Sequence, residues 1–146
     1  MPPKFKKLPV VFDTNVLAAA LRSKSGASYQ LVLLLLAQRF EVAISLPLYF
    51  EYLDVLMRPQ IRPPNVADAD ILDFVDDILK HSHTQNIYYL WRPWLKDEKD
   101  DMILELAIAA QAKFIVTFNL KDFGGIELFG IQAIAPKEFL SRVRNL

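Results

Sequence analysis

Five positions in this chain carry residue types suited to holding a hard cation: Asp13, Glu51, Asp100, Asn119 and Asp122. Asp13 ends the apolar run Val10-Val11-Phe12, and Glu51 interrupts an otherwise apolar helical stretch. Asp100 lies in the acidic run Asp97-Glu98-Lys99-Asp100-Asp101, and Asn119 and Asp122 follow the apolar run Phe114 to Thr117. Taken singly, each has an ordinary reading. Asp97 with Asp100 resembles a helix cap and its third-position acid, Glu51 suits an exposed helix face, and Asp122 suits a turn. Taken together they carry more. Carboxylates gathered at one place repel one another unless a cation holds them. Oxygen ligands of this kind favour magnesium or manganese over softer metals. Such a site polarises a phosphodiester, activates water and stabilises a leaving oxygen without a histidine or cysteine nucleophile.

The surrounding elements decide whether these residues meet. Val10 to Phe12 is apolar without alternation, as expected of a strand covered on both faces. Asp13 then falls just beyond a carboxyl end, where ligand sites of open α/β sheets form, and Thr14 or Asn15 is placed to cap a helix over Val16–Arg22. A loop at Ser23–Gly26 precedes a deeply packed helix over Ser28–Arg39, a strand over Phe40–Ile44, and a helix over Leu46–Met57 capped by Ser45. Glu51 and Asp54 project from neighbouring positions on that helix. Three prolines between Arg58 and Asn65 end it.

Ala67–Lys80 is amphipathic, with Ile71, Phe74, Val75, Ile78 and Leu79 inward and Asp68, Asp73, Asp76 and Asp77 solvated. His81 and His83 fall in a loop at its end, and Ile87–Leu90 reads as a strand. Trp91-Arg92-Pro93-Trp94 is a rigid aromatic segment, read either as surface packing or as a platform for stacking bases. A helix over Met102–Ala112, a strand over Phe114–Thr117, a Gly124-Gly125 break, a strand over Ile131–Ile134 and a helix over Pro136–Val143 complete the chain. Strand and helix alternate throughout, which predicts an α/β domain with a mainly parallel sheet. Parallel strands bring their carboxyl ends to one edge, so Asp13 and the Asn119–Asp122 loop should be neighbours there.

With 146 residues, 53% of them hydrophobic, the chain reads as one domain with a real core, preceded by a basic tail over residues 1–7. The apolar stretch Leu31–Ala37 is far shorter than the roughly 20 residues that cross a bilayer. The N-terminal lysines are followed by Asp13 and Asn15 within the apolar block, unlike a secretory signal. A cytoplasmic protein is therefore the expectation. The absence of cysteine excludes disulfides and thiolate metal sites. A formal net charge of zero argues against broad charge-driven binding to nucleic acid, though not against an enzyme acting on it.

Four segments resemble the PIN-domain family of metal-dependent ribonucleases, and in particular its toxins from toxin–antitoxin pairs. They are Val10-Val11-Phe12-Asp13-Thr14-Asn15-Val16-Leu17, the Glu51 helix Leu46–Leu56, Asp97-Glu98-Lys99-Asp100-Asp101 with the helix after it, and Ala112–Phe123. Their order covers nearly the whole chain. The resemblance implies a three-layer α/β/α sandwich, magnesium or manganese, RNA as substrate, an antitoxin partner and frequent homodimers. Carried across, Asp13, Glu51 and Asp100 are the core acidic ligands, with Thr14 and Asn15 supporting Asp13. A fourth family position, often acidic, is Asn119 here, with Asp122 three residues on; either completes the site. Thr117, Asp97 and Asp101 are supporting candidates.

Two other classes make demands on the end of the first strand that this chain does not meet. A haloacid-dehalogenase-like phosphatase needs a second acid where Asn15 stands, and a phosphoacceptor receiver domain needs an acidic pair after the first strand. The remaining alternative is a catalytically degenerate PIN fold that binds RNA or protein.

Overall fold

The computed structural model describes residues 9–87 and 94–145. The basic tail and Trp91, Arg92 and Pro93 thus lie outside the described residues, as does most of the strand expected at Ile87–Leu90. The chain runs β1 (Pro9–Phe12), α1 (Thr14–Arg22), α2 (Ala27–Leu36), β2 (Glu41–Ile44), α3 (Leu46–Leu56) and α4 (Asp68–Lys80). It continues with β3 (His83–Thr84), α5 (Glu98–Ala109), β4 (Phe114–Val116), two 3₁₀ turns (Leu120–Phe123 and Ile126–Phe129), β5 (Gln132–Ile134) and α6 (Pro136–Arg144). All strand pairs are parallel, in the order β3-β2-β1-β4-β5.

This order follows from the crossovers. From β1 the chain moves outward through β2 to β3, then returns past β1 to β4 and β5. Right-handed connections therefore put α1 to α4 on one face and α5 on the other. The packing agrees: α1 lies against α2 and α3, α3 against α4, and α6 closes on α2, while α5 lies across β1, β2 and β4. The result is a three-layer α/β/α sandwich with β1 at its centre. Val10, Val11 and Phe12 are fully buried, as a strand covered on both faces must be. Phe12, Phe40, Phe139 and Phe114 form a chain of ring contacts at 5.2–5.9 Å through the core.

Most elements stand where the sequence pattern puts them, and the departures have local causes. Asp13 itself, rather than Thr14 or Asn15, caps α1, accepting from the Thr14 amide at 2.8 Å. Helix α2 stops at Leu36 instead of running to Arg39, because Gln38 adopts a left-handed φ of 60°. Helix α5 begins at Glu98, four residues before the expected Met102. Acids in a first helical turn face the positive end of the helix dipole, so the charged run is a helix start and not a loop. His83 lies in the short edge strand β3, paired with Ala43, instead of in a loop.

One buried contact ties α3 to the centre of the sheet. Tyr52 is fully buried, and its hydroxyl donates to the Phe12 carbonyl at 2.6 Å. Burial raises its phenol pKa well above the ordinary value, with a further push from Asp13. Tyr52 thus holds a neutral hydroxyl at the carboxyl end of β1. Replacing Tyr52 with Phe should lower stability by about 1–2 kcal/mol, roughly 3–6 °C in thermal melting. A variant melting with the parent would show that the Phe12 carbonyl finds another donor.

Candidate functional site

Asp13 is nearly buried, 9% exposed, at the end of the central strand. Its amide donates to the Val116 carbonyl at 2.9 Å, which fixes it beside β4. One carboxylate oxygen accepts from the Thr14 amide. The other accepts from the Thr117 hydroxyl at 2.7 Å and the Asn15 side-chain amide at 3.3 Å. Burial raises the Asp13 pKa; the hydrogen bonds from Thr117 and Thr14 oppose that rise, and the charges of Asp122 and Glu51 add to it.

Thr117 is the hub of this network. Its hydroxyl donates to Asp13 and accepts from the Asn119 amide at 2.9 Å, with the Asn15 side-chain amide at 3.5 Å. The Asn15 carbonyl oxygen accepts from the Phe118 amide at 3.3 Å. Asn15 and Thr117 therefore lock the loop after β1 to the loop after β4, around one carboxylate.

Glu51 projects from α3 one residue before the buried Tyr52, so the Tyr52–Phe12 bond sets its position over the end of β1. Its side chain is 17% exposed and lies 3.5 Å from the ammonium group of Lys99 at the start of α5. Asp54, its neighbour on the helix, turns outward to Arg58 at 2.8 Å.

The three aspartates of the 97–101 run separate into three roles. Asp97 caps α5, accepting from the Lys99 amide at 2.8 Å. Asp101 is buried and accepts from the Trp94 and Leu95 amides at 3.1 and 2.7 Å, anchoring the segment that enters the helix. Asp100 has no hydrogen bond or ion pair among the described residues. Its pKa is pushed up to about 6, by burial first and then by Asp13, Asp97, Asp122 and Asp101.

Asp122 is exposed on the 3₁₀ turn after β4, yet its charge raises both Asp13 and Asp100. The side chain of Asn119 is exposed, and this residue enters the network through its backbone amide alone. Asp13, Glu51, Asp100 and Asp122 are thus brought to one edge, while Asp97 and Asp101 are committed to helix and loop structure. Two neighbours of the site carry no sequence signal of their own: Tyr52 has the spacing of a core-face residue on its helix, and Lys99 is a cation inside an acidic run.

A cleft of about 480 Å³ opens here, lined by Asp97, Asp100 and Asp122 together with Trp94, Lys96 and Lys121. Among the described residues no three acidic or histidine side chains are close enough to form a finished metal-binding cluster. The donor set nevertheless fits a hard divalent cation in kind. Among the described residues the side chains of Asp100 and Asp122 are unpartnered, Asp13 keeps lone-pair capacity beyond its three donors, and the mutual repulsion is of the sort a cation relieves.

The raised Asp100 pKa carries a sign for stability. In the folded protein this group holds its proton more tightly than in the unfolded chain, so its charge destabilises the fold above pH about 6 and the penalty vanishes below the ordinary value of 3.8. Asp100→Asn should therefore melt higher in EDTA at pH 7, by about 1 kcal/mol or roughly 3–5 °C after allowing for solvent screening. The gain should fade as pH falls through the window from 6 to 4. Equal melting temperatures at pH 7 would contradict it.

Comparison with curated proteins gives no match to the chain. A family model described as PIN domain matches residues 9–121, from the first residue of β1 to the turn after β4. That span contains Asp13, Glu51, Asp100 and Asn119 and stops one residue short of Asp122. The match covers most of the chain and agrees with the sandwich and its parallel sheet, so this chain belongs to the PIN domain family, whose fold is of nuclease type.

Proposed function

We propose that this protein is a metal-dependent endoribonuclease that hydrolyses RNA phosphodiester bonds, acting as the toxin of a toxin–antitoxin pair in the cytoplasm. The observation that carries the reading is the set of acids on one sheet edge: Asp13, Glu51, Asp100 and Asp122, drawn from four separate segments, with Asp122 and Glu51 raising the proton affinity of Asp13, and Asp13 and Asp122 that of Asp100. Structural duties account for Asp97 and Asp101 but not for Asp100 or Asp122. The nuclease-type fold supports the same conclusion, and no helix among the described residues is long and apolar enough to cross a membrane.

In this proposal Asp13, Glu51 and Asp100 hold magnesium or manganese. When bound, the metal supplies charge for the substrate phosphate and acidifies water. The chain's own contribution is preorganisation. Thr117, Asn15 and the Thr14 amide fix the Asp13 carboxylate in one orientation, so it need not reorder during reaction. Tyr52 does the same for the helix bearing Glu51. Between Asn119 and Asp122, the electrostatic reach of Asp122 to Asp13 and Asp100 favours Asp122 for orienting the attacking water. Lys99 compensates the Glu51 charge at 3.5 Å and would compete with a cation for that carboxylate. An antitoxin protein and a second copy of this chain are the proposed partners.

The ion pair between Lys99 and Glu51 also favours a second reading, a PIN fold that has lost catalysis and only binds RNA or protein. Two measurements separate the readings. Purified protein should cut a mixed single-stranded RNA panel with manganese and not with EDTA, and Asp13→Asn should lose at least 100-fold in rate while still melting cooperatively. Saturating manganese, at about 100 times its dissociation constant, should raise stability by about 2.7 kcal/mol in the parent. Folded protein that neither cuts nor gains stability would establish the binding module instead.

A further inference from the structure

Beside the acids lies a surface that the proposed hydrolysis does not use. Trp94 is 47% exposed and lines two recesses of about 480 Å³ each. One is the cleft bearing Asp100 and Asp122, and the other is bordered by Gly124, Gly125 and Leu128. Phe129 meets the indole edge to face, with centroids 5.3 Å apart at 77°. The ring is thus braced by one neighbour while much of it faces water. Asp101 fixes its backbone from below through the Trp94 amide.

Gly124 borders both recesses, and its backbone does not require glycine: φ is −63° and ψ 137°. A Cβ there would meet only the Lys121 carbonyl oxygen, at 3.7 Å. Neither strain nor crowding forbids a side chain at 124. Gly124 lines both recesses, so the absence of a side chain there leaves both of them wider. Lys96 and Lys121 share the acid-side recess with Asp97, Asp100 and Asp122, and neither lysine is ion-paired among the described residues. Flat aromatic surface next to unpaired cations matches an alternation of base and phosphate. A partner covering only the apolar ground around Trp94 and Leu128 would leave those lysines unmatched.

We propose that Trp94 is a stacking platform for a base of single-stranded RNA, with Lys96 and Lys121 contacting its phosphates and Gly124 leaving both recesses wide. The inference rests on the nuclease reading for why RNA reaches this edge, and it adds the form of the strand and the residue that selects it. Bases in a duplex are stacked on one another and unavailable to the indole. Stacking tolerates any base, so the contact discriminates strand form and not sequence.

The test measures binding in EDTA, so no cleavage is needed. Fluorescence anisotropy reads a labelled mixed-sequence 12-nucleotide RNA, the same strand in a duplex, and an abasic strand of equal length. The parent should bind the single strand about tenfold more tightly than the abasic strand. Trp94→Ala should erase that difference, Trp94→Phe should keep most of it, and Gly124→Leu should weaken the intact strand at least fivefold. Circular dichroism and melting confirm that each variant is folded. Equal binding by parent and Trp94→Ala overturns the proposal and leaves the apolar ground to a protein partner, as does a loss equal for intact and abasic strands or an absence of binding by the parent. Trp94-dependent binding by a protein that never cuts sustains this inference and removes the nuclease reading. Metal-dependent cutting with Trp94 irrelevant does the reverse.

Discussion

The buried carboxylate of Asp13 is the constraint around which the molecule is arranged. A charge at the end of a fully covered strand is tolerable only with donors around it. Here they come from the Thr14 amide, the Asn15 side chain and the Thr117 hydroxyl. Two of those residues belong to the segment following β1, and the third to the end of β4. Satisfying the charge therefore requires β4 to pair beside β1 in one register, with Val116 opposite Phe12. A shift by one residue would carry the Thr117 hydroxyl away from Asp13 and turn alternate side chains to the wrong face.

The acidic edge is also where the two helical layers meet. Helix α3 comes from one face of the sheet and α5 from the other, and they touch over the strand ends through Glu51 and Lys99. Structural bonds on each side hold this junction: Tyr52 to the Phe12 carbonyl, and the Asp97 and Asp101 caps of α5 and the segment before it. Well-satisfied neighbours surround a few unsatisfied acids. Stability given up at Asp100 is offset by the bonds around it, as expected of a site kept ready for a ligand.

Much of this could be read from the chain before any coordinates. The unalternating run Val10–Phe12 identified the central strand, and the regular exchange of strand and helix identified the sheet as parallel. Parallel topology gathers strand ends on one edge and so places Asp13 beside the Asn119–Asp122 loop, while the resemblance to the PIN-domain family adds Glu51 and Asp100 to the set. What escaped depended on helix phase and on short elements. Asp97, Asp100 and Asp101 are the same residue type within five positions, and only the start of α5 at Glu98 decides which faces the cleft. The two-residue strand β3 is too short to carry a pattern, and the end of α2 hinges on the left-handed backbone of Gln38, a residue with no strong preference for it. Tyr52 looked like core because it is core. Its hydroxyl gains a role only once Phe12 is known to lie beneath it.

The Asp13–Thr117 hydrogen bond joins residues 104 positions apart. Such a contact places the acidic centre late in the life of a folding chain. A ribosome extending the polypeptide exposes Asp13 first and Glu51 some forty residues later, but the Thr117 hydroxyl that fixes Asp13 emerges 104 positions after it. Pairings of this range are slow to form, since a long loop must close before the contact rewards it. A growing chain therefore carries its acids unassembled until Thr117 has emerged and β4 has paired beside β1.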